Sequence, residues 1–435
     1  MTDRAEDERF MAEALRLAHR NLGATGSNPS VGCVIVRNDG NGPNIVGSAV
    51  TAPGGRPHAE TQALAMAGTQ AKGATAYVSL EPCSHHGVTP PCADALVAAG
   101  IARVVVAVTD PDQRVAGRGL ARLRDAGITV DTGVMERAGE RELEGYLMRK
   151  RDNRPYVTLK LAVSADGMIG LKGQGQVPIT GKESREQVHR LRAETDAILV
   201  GIGTAILDDP ELTCRLPDLE DRSPLRIVID PRLELPLGSK LVRTAETVPV
   251  IAVVDPAFEK LSSEYDEEHP PLPRRDIAAS KERIGPENDV DPDVTRLPVN
   301  AEPAVPAISP FETEMSNGTE GGGAQSTLAE RRAALQSAGV ELVECDPTAP
   351  GDLLTALATR GVSSLMVEGG ARTAQTFLNA GLVDRILLFT GAVTLGVEGV
   401  ASPIDRTLIP VGFVHVRTDT FGEDLLDTYE YERTP

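Results

Sequence analysis

The chain has 435 residues, enough for two or three domains, and 41% of them are hydrophobic, which excludes a fibrous or wholly disordered protein. With 44 basic and 63 acidic residues it carries a formal net charge of −19, which disfavours nucleic acid as a partner because such a surface repels phosphate. The five cysteines, an odd number, do not suggest a disulfide framework. The acidic amino terminus and the lack of an apolar run near ~18 residues predict a cytoplasmic protein with no membrane partner.

The first 150 residues alternate between helical and strand patterns. Apolar spacing predicts a helix near residues 10–18 and another near 58–67. A third helix is expected to begin at Pro91 and end at Gly100, because proline suits a first helical turn and glycine a helix end. Apolar and β-branched runs predict strands over 31–36, 45–50, 74–80 and 103–108. This pattern predicts an α/β domain whose sheet is covered on both faces.

A linking helix over 136–150 and a break near Pro155 separate a second α/β unit, so we expect two domains, 1–150 and 151–435. Its strands are predicted over 157–163, 197–200, 226–229, 248–253, 340–343, 364–367 and 385–389. The segment 261–326 differs because it is acidic and rich in proline and glycine. Such a stretch buries too little apolar surface to offset its ordering entropy, so it is predicted to be a disordered insertion in the second domain.

The strongest chemical signal comes from His58, Cys83 and Cys92. One imidazole and two thiolates suit Zn²⁺, and the helix start at Cys92 favours a thiolate. Three protein ligands leave the fourth tetrahedral position for a water, whose pKa the metal lowers towards ~7. Glu60, two residues after His58, is placed to take a proton from that water and pass it to a leaving nitrogen. The pattern predicts a zinc-dependent nucleobase deaminase.

The alternative is a closed structural zinc site in a non-catalytic binding protein. The fourth ligand would then come from Cys33, His85 or His86. A closed site leaves no role for Glu60, which favours catalysis. Cys33 lies in an apolar run and is expected to pack in the core instead.

Three stretches around these residues are long and specific: 28–36 (NPSVGCVIV), 80–92 (LEPCSHHGVTPPC) and 110–119 (DPDQRVAGRG). They resemble the deaminase half of the bifunctional riboflavin-biosynthesis deaminase–reductases. The resemblance implies a cytidine-deaminase-like three-layer domain that hydrolyses the 2-amino group of 2,5-diamino-6-(5-phosphoribosylamino)pyrimidin-4-one. It also implies zinc binding by the His/Cys/Cys set, proton transfer by Glu60 and a contact of Asn28 with the pyrimidine. The residues His85, His86 and Thr89 either help to contain the phosphoribosyl arm or form a loop held by local hydrogen bonds.

The second unit lacks a Gly-x-Gly-x-x-Gly sequence after its first strand, which disfavours a Rossmann domain. Two strands instead run into glycine-containing corners, at 201–204 (GIGT) and at 369–373 (GGART). Glycines at such corners let backbone N–H groups approach a phosphate, although a tight turn alone also explains a Gly-x-Gly.

The stretches 156–167 (YVTLKLAVSADG) and 201–215 (GIGTAILDDPELTCR), with 367–370 (VEGG), resemble the reductase half of the same family. The resemblance implies a dihydrofolate-reductase-like fold that uses NADPH to reduce the ribosyl group to ribityl. It implies cofactor contacts by Ala162, Pro178, Thr204, Asp208, Pro231, Gly370, Ala371, Arg372, Thr373, Ala374, Gln375 and Thr376. It implies substrate contacts by Gln176, Arg192, Leu212, Arg215 and Glu368.

Arg192 and Arg215 suit a substrate phosphate because a guanidinium group can donate two parallel hydrogen bonds to it. Surface ion pairing is the alternative for either one. Lys160, Asp208 and Glu368 are candidates for the proton donor. A homo-oligomer, dimer or tetramer, is expected because such enzymes are commonly dimers. A deaminase of another base, with a carboxyl-terminal domain that does not reduce, is the remaining alternative within the same class.

Overall fold

The computed structural model describes residues 4–40, 42–85, 90–112, 115–257 and 327–432. The predicted insertion over 261–326 and the predicted roles of His86 and Thr89 lie outside the described residues. No helix in the described ranges combines the length and the apolar character needed to cross a membrane.

The amino-terminal part is built on a five-stranded sheet in the order β2-β1-β3-β4-β5. Its strands are β1 Gly32–Asn38, β2 Pro43–Val50, β3 Thr75–Leu80, β4 Arg103–Val108 and β5 Thr129–Thr132. β1 runs antiparallel to both β2 and β3, whereas β3, β4 and β5 are parallel. β3 and β4 are buried almost throughout, as their continuous apolar sequences predict.

Helices cover this sheet in two layers. They are α1 Arg4–His19, α2 Ala59–Ala67, α3 Cys92–Ala98, α4 Arg118–Asp125, α5 Glu136–Glu142 and α6 Glu144–Asp152. α1 contacts α5, and α2 contacts α3, which in turn contacts α4. The three-layer α/β prediction is confirmed.

The predicted linking helix is divided in the structure. Leu143 leaves helical backbone angles (φ −106°, ψ 6°) and is buried, so the chain bends between α5 and α6. The bend lets α5 pack on β4 while α6 packs on the first strand of the second sheet.

The second sheet has nine strands in the order β11-β10-β9-β8-β12-β6-β13-β16-β15. The strands that follow the first domain are β6 Tyr156–Val163, β7 Met168–Leu171, β8 Ala197–Gly201, β9 Leu225–Ile229, β10 Val250–Val254, β11 Val340–Glu344, β12 Ser364–Glu368, β13 Arg385–Thr390, β14 Gly399–Ala401, β15 Phe413–Phe421 and β16 Asp424–Tyr431. The seven strands from β11 to β13 in this order are parallel, and β16 and β15 continue the sheet in antiparallel fashion. β7 and β14 pair in a separate small sheet.

Helices connect most of the parallel strands. They are α7 Lys182–Ala193, α8 Ile202–Asp208, α9 Lys240–Arg243, α10 Leu328–Ser337, α11 Pro350–Thr359 and α12 Ala371–Asn379. The carboxyl ends of parallel strands share one edge of a sheet, where α/β proteins commonly bind ligands. Four neighbouring strands, β9, β8, β12 and β6, therefore present their ends together.

Candidate active sites

The three predicted metal ligands converge. The ligand atoms of His58, Cys83 and Cys92 all lie within 4.8 Å of one another. His58 Nδ1 is 3.3 Å from Cys92 Sγ and 3.7 Å from Cys83 Sγ. Tetrahedral zinc with bonds of ~2.3 Å to sulfur and ~2.1 Å to nitrogen separates the two atoms by about 3.6 Å. The observed distances bracket that value, so the donor set fits Zn²⁺.

Local structure explains why these residues meet. His58 is the N-cap of α2, with extended backbone angles, and its carbonyl accepts hydrogen bonds from the Thr61 hydroxyl at 2.9 Å and the Gln62 amide at 3.3 Å. Cys92 opens α3, and its backbone N–H donates to Cys83 Sγ at 3.3 Å. Cys83 follows the end of β3. Two helix starts and one strand end thus present the ligands.

The two cysteine thiols of the cluster have shifted pKa values. The pKa of the Cys83 thiol is lowered to about 4, first because the Cys92 side chain donates a hydrogen bond to it and also because His58 does. The same hydrogen bond, together with burial, raises the pKa of Cys92. A dication at this position favours the thiolate form of both cysteines.

Glu60 is buried beside the cluster, with 3% of its surface exposed, and its carboxylate is hydrogen-bonded to Cys92. Burial raises the pKa of Glu60 to about 7, and the negative charge of Cys83 adds to the shift. Within the described residues the metal-ligand group contains three members and not Glu60. Glu60 is therefore next to the ligands without being one of them.

The cluster opens into a cavity of about 320 Å³, lined by His58, Glu60, Cys83 and also by Asn28. The Asn28 amide lies against Gly55, where a Cβ would come within 2.3 Å of Asn28 Nδ2. Of the alternative fourth ligands, Cys33 is fully buried in β1. His85 lines the cavity but stands outside the metal-ligand group, and its Nδ1 has no hydrogen-bond partner among the described residues.

Sequence reasoning missed Glu81, which is buried between β3 and Cys83. Its carboxylate accepts backbone hydrogen bonds from Gly117 and Gly119 at 3.0 Å, and longer ones from Asp110 and Leu120. α4 begins at Arg118 and has no side-chain cap of its own, so Glu81 caps this helix from a distant part of the chain. The only sequence signal was a carboxylate next to a metal-ligand motif.

In the second domain the two glycine corners touch. A Cβ on Gly201, at the end of β8, would lie 2.5 Å from Thr373 Oγ1, and a Cβ on Gly370 would lie 3.1 Å from Thr204 Oγ1. A side chain on Gly201 would therefore displace Thr373, and one on Gly370 would crowd Thr204. Beyond its own helix, no described atom lies within 4 Å of a Cβ on Gly203, so the Cα side of this residue faces open space. This paired cradle fits the diphosphate of a dinucleotide.

The other predicted cofactor positions lie around this cradle. Ala162 is near the end of β6, and Pro231 follows β9. Asp208 ends α8, and burial raises its pKa. Residues 371–376 form the first turns of α12, where Ala371, Arg372, Thr373, Ala374, Gln375 and Thr376 follow Gly370. Gln176 and Pro178 are exposed, in a segment that approaches α8 because a Cβ on Gly175 would meet Leu207 O at 2.8 Å.

Glu368 ends β12 in a buried ion-pair network. Arg192 binds both of its carboxylate oxygens at 2.9 Å, and Lys160 Nζ lies 4.0 Å away. Burial alone would raise the pKa of Glu368, but the Arg192 and Lys160 charges outweigh it and lower the pKa to about 2. The guanidinium of Arg192 is thus engaged by a carboxylate rather than free for a phosphate.

Two predicted substrate contacts differ in exposure. The Leu212 side chain is 3% exposed and packs in the hydrophobic core, so only its backbone is available to a ligand. Arg215 is exposed and pairs with Glu211 at 2.9 Å.

Family models match both parts of the chain. The cytidine and deoxycytidylate deaminase zinc-binding region matches residues 4–108, and the RibD C-terminal domain matches residues 155–288 and 324–426. These matches define a zinc-binding deaminase domain followed by a reductase domain of dihydrofolate-reductase-like fold, as the sequence predicted.

Relatives extend this assignment. The riboflavin biosynthesis protein RibD of Aquifex aeolicus is 45% identical over 254 residues, which cover 58% of this chain and 70% of the relative. RibD of Escherichia coli is 50% identical over 236 residues, 52% of this chain and 63% of the relative. A structure of Acinetobacter baumannii RibD superposes with a TM-score of 0.75 at 29% identity, covering 99% of this chain and 100% of that one. The chain belongs to the RibD family, the bifunctional deaminases and reductases of riboflavin biosynthesis, with Zn²⁺ and NADPH as cofactors.

A Thermotoga maritima structure described as a diaminohydroxyphosphoribosylaminopyrimidine deaminase/5-amino-6-(5-phosphoribosylamino)uracil reductase is also similar. Its TM-score is 0.71 at 27% identity, with coverage of 98% of this chain and 99% of that one. The similarity thus extends over both domains, which occur in one chain in both proteins.

Proposed function

We propose that the first site hydrolyses the 2-amino group of 2,5-diamino-6-(5-phosphoribosylamino)pyrimidin-4-one and that the second site reduces the ribosyl group of the product to ribityl. The observation that carries the first step is a carboxylate, Glu60, buried against a His/Cys/Cys ligand set without joining it. A closed structural site would have no use for such a group.

In the deaminase site, His58, Cys83 and Cys92 would hold Zn²⁺, which supplies a water of lowered pKa as the nucleophile. Glu60 takes the proton at its carboxylate and delivers it to the departing nitrogen, which leaves as ammonia. Asn28 lines the same cavity, where its amide suits the donor and acceptor groups of a pyrimidine edge. The cavity walls orient the base towards the ligand set.

In the reductase site, NADPH supplies the hydride for C1′ of the sugar, while the C1′–O4′ bond breaks and O4′ takes a proton. The paired cradle, with Thr204 and the start of α12, would hold the cofactor phosphates. Of the three candidates for the proton donor, Glu368 has a pKa lowered to about 2 and is ionised at neutral pH. The proton therefore comes from Lys160, whose pKa is lowered by desolvation, or from Asp208, whose pKa is raised by it. The exposed guanidinium of Arg215 is available to the substrate phosphate, and Arg192 orients Glu368 towards the substrate.

The proposed domains extend over 1–150 and 151–435, supported by the separate sheets on either side of α6. A homo-oligomer is supported by β15, a nine-residue edge strand that is exposed on both faces. A cytoplasmic location is supported by five free thiols. The net charge of −19 supports a small-molecule substrate over nucleic acid.

The deciding experiment supplies the zinc-loaded protein with the diaminopyrimidinone phosphate and NADPH and follows ammonia and NADPH together. We expect one ammonia per substrate and NADPH oxidation only after deamination. Glu60→Gln should lower ammonia release by about 10³-fold or more while zinc content stays the same. Its matched control is Glu136→Gln, an exposed glutamate of the same domain.

The alternatives give different results. Ammonia release without NADPH oxidation would support a deaminase whose second domain does not reduce. Unchanged activity and stability in Glu60→Gln would indicate a structural zinc site.

A further inference from the structure

Arg226 is the largest fully buried side chain of the described residues, with 0% of its surface exposed. It lies on β9, and its guanidinium donates to Glu211 O at 3.1 Å, Thr244 Oγ1 at 2.8 Å, Thr244 O at 3.1 Å and Val248 O. The acceptors that the structure records for it are all neutral oxygens. Burying a cation in this way is costly, which indicates a requirement beyond packing.

The contact to Glu211 O ties Arg226 to the loop over 209–215, which carries Leu212 and Arg215. This loop has two non-glycine residues with left-handed backbone angles, Asp209 (φ 38°) and Leu212 (φ 56°). Such angles cost of order 1 kcal/mol or more each and persist only where the surroundings hold them. The loop is therefore held in a conformation that it would not adopt alone.

Other contacts hold the two ends of the same loop. Asp209 Oδ1 accepts the Lys240 backbone N–H at 2.8 Å, and Thr213 O accepts Arg192 Nη1 at 3.2 Å. Arg192 in turn binds Glu368 at the end of β12. Between these ends, Arg226 fixes the middle of the loop through Glu211, next to Leu212.

We propose that Arg226 is a positioning residue of the reductase site, which holds the 209–215 loop so that Leu212 and Arg215 meet the phosphoribosyl substrate. This inference rests on the proposed function. Without the guanidinium, Glu211 O loses its partner, and the left-handed residues relax towards ordinary angles. The recorded hydrogen bonds of Arg226 go to Glu211, Thr244 and Val248 and not to the glycine cradle, so we expect the cradle to keep its geometry.

The test compares Arg226→Met and Arg226→Lys with the wild type, using 5-amino-6-(5-phosphoribosylamino)uracil and NADPH. We expect the KM for the uracil derivative to rise about tenfold in Arg226→Met, as for one lost hydrogen bond to a charged group. The Kd of NADPH, measured by nicotinamide fluorescence, should stay unchanged, and Arg226→Lys should restore part of the loss. Amide hydrogen exchange over 209–215 should quicken in Arg226→Met.

Arg154→Met is the matched control, because Arg154 is also a largely buried arginine of the second domain. It binds Asp384 at 2.7 Å, and Arg154 lies two residues before β6 while Asp384 lies one residue before β13. We expect lower stability but an unchanged KM and unchanged exchange in the loop. Equal behaviour of the two variants would overturn the inference.

If Arg226→Met does not fold, Arg226→Lys decides, because its ammonium keeps the charge but has one nitrogen in place of the two that donate to Glu211 O, Thr244 and Val248 O. A higher KM supports the proposal, and an unchanged KM overturns it. A wild type that never oxidises NADPH would contradict the proposed function instead. Loop exchange and direct binding of the uracil derivative still test Arg226 in that case.

Discussion

Replacing Glu81 by glutamine should lower both the stability and the activity of the deaminase domain, although Glu81 is not a metal ligand. Its carboxylate accepts four backbone N–H groups of the 110–120 segment, two of them at 3.0 Å from Gly117 and Gly119. Glutamine keeps one acceptor oxygen and turns an NH₂ group towards the other N–H donors. The neutral side chain also loses the attraction between a carboxylate and the start of α4.

The magnitude follows from these contacts. One hydrogen bond to a charged group is worth about 1.5–3 kcal/mol, and a buried N–H left without a partner costs about 1–3 kcal/mol more. We therefore expect the free energy of unfolding of the amino-terminal domain to fall by about 3–5 kcal/mol. For a domain of about 150 residues, at about 2–4 °C per kcal/mol, that loss lowers Tm by roughly 6–20 °C. A shift of Gly119 should reach the metal ligands, because Gly119 packs directly against the Pro82 carbonyl, next to Cys83. A Cβ at Gly119 would lie only 2.2 Å from that oxygen.

The assay combines urea unfolding, zinc content and ammonia release for Glu81→Gln, with Glu136→Gln as the exposed control. Ammonia release should fall about tenfold or more, because Cys83 lies two residues from the lost anchor. NADPH oxidation with the deaminated substrate should not change. If Glu81→Gln unfolds at the same urea concentration as the control and retains its zinc, the reasoning is wrong.

Three other outcomes follow from the sites. A chelator that strips the metal should abolish ammonia release and leave the Kd of NADPH unchanged, and persistent deamination by zinc-free protein would contradict the ligand assignment. Gly201→Ala should weaken NADPH binding about tenfold, because the new Cβ crowds Thr373. Gly238→Ala, which has open space, is its control, and equal Kd values would refute the cradle. The Glu368 pKa of about 2 lies below the ordinary 4.5, so its carboxylate stabilises the fold above pH 4.5 and loses this effect as pH falls towards 2. Glu368→Gln should remove that part of the acid dependence of urea unfolding, and identical pH profiles for both proteins would argue against it.

Much of the parallel core could be predicted because its strands are continuous apolar runs. The predicted strand over 103–108 has the observed bounds, and the strands near 226–229 and 364–367 differ from the observed ones by a single residue. β15 was not predicted, because its sequence FVHVRTDTF alternates β-branched and polar residues without a strongly apolar face, and the strand is exposed on both faces. The bend at Leu143 was missed because the helical spacing of the sequence continues across it, while the two halves pack on different sheets.

The zinc cluster could be predicted because each ligand lies in a short local motif whose residue types serve that chemistry. Glu81 and Arg226 could not, since their partners are mainly backbone groups, which have no signature in the sequence. The Arg192 side chain illustrates the same limit: its residue type suits a phosphate, yet the fold gives it Glu368. Residue type therefore indicated which chemistry each site supports, whereas the anchors that hold the sites in shape depend on the folded backbone. That is why Glu81→Gln and Arg226→Met test the geometry of the two sites rather than their chemistry.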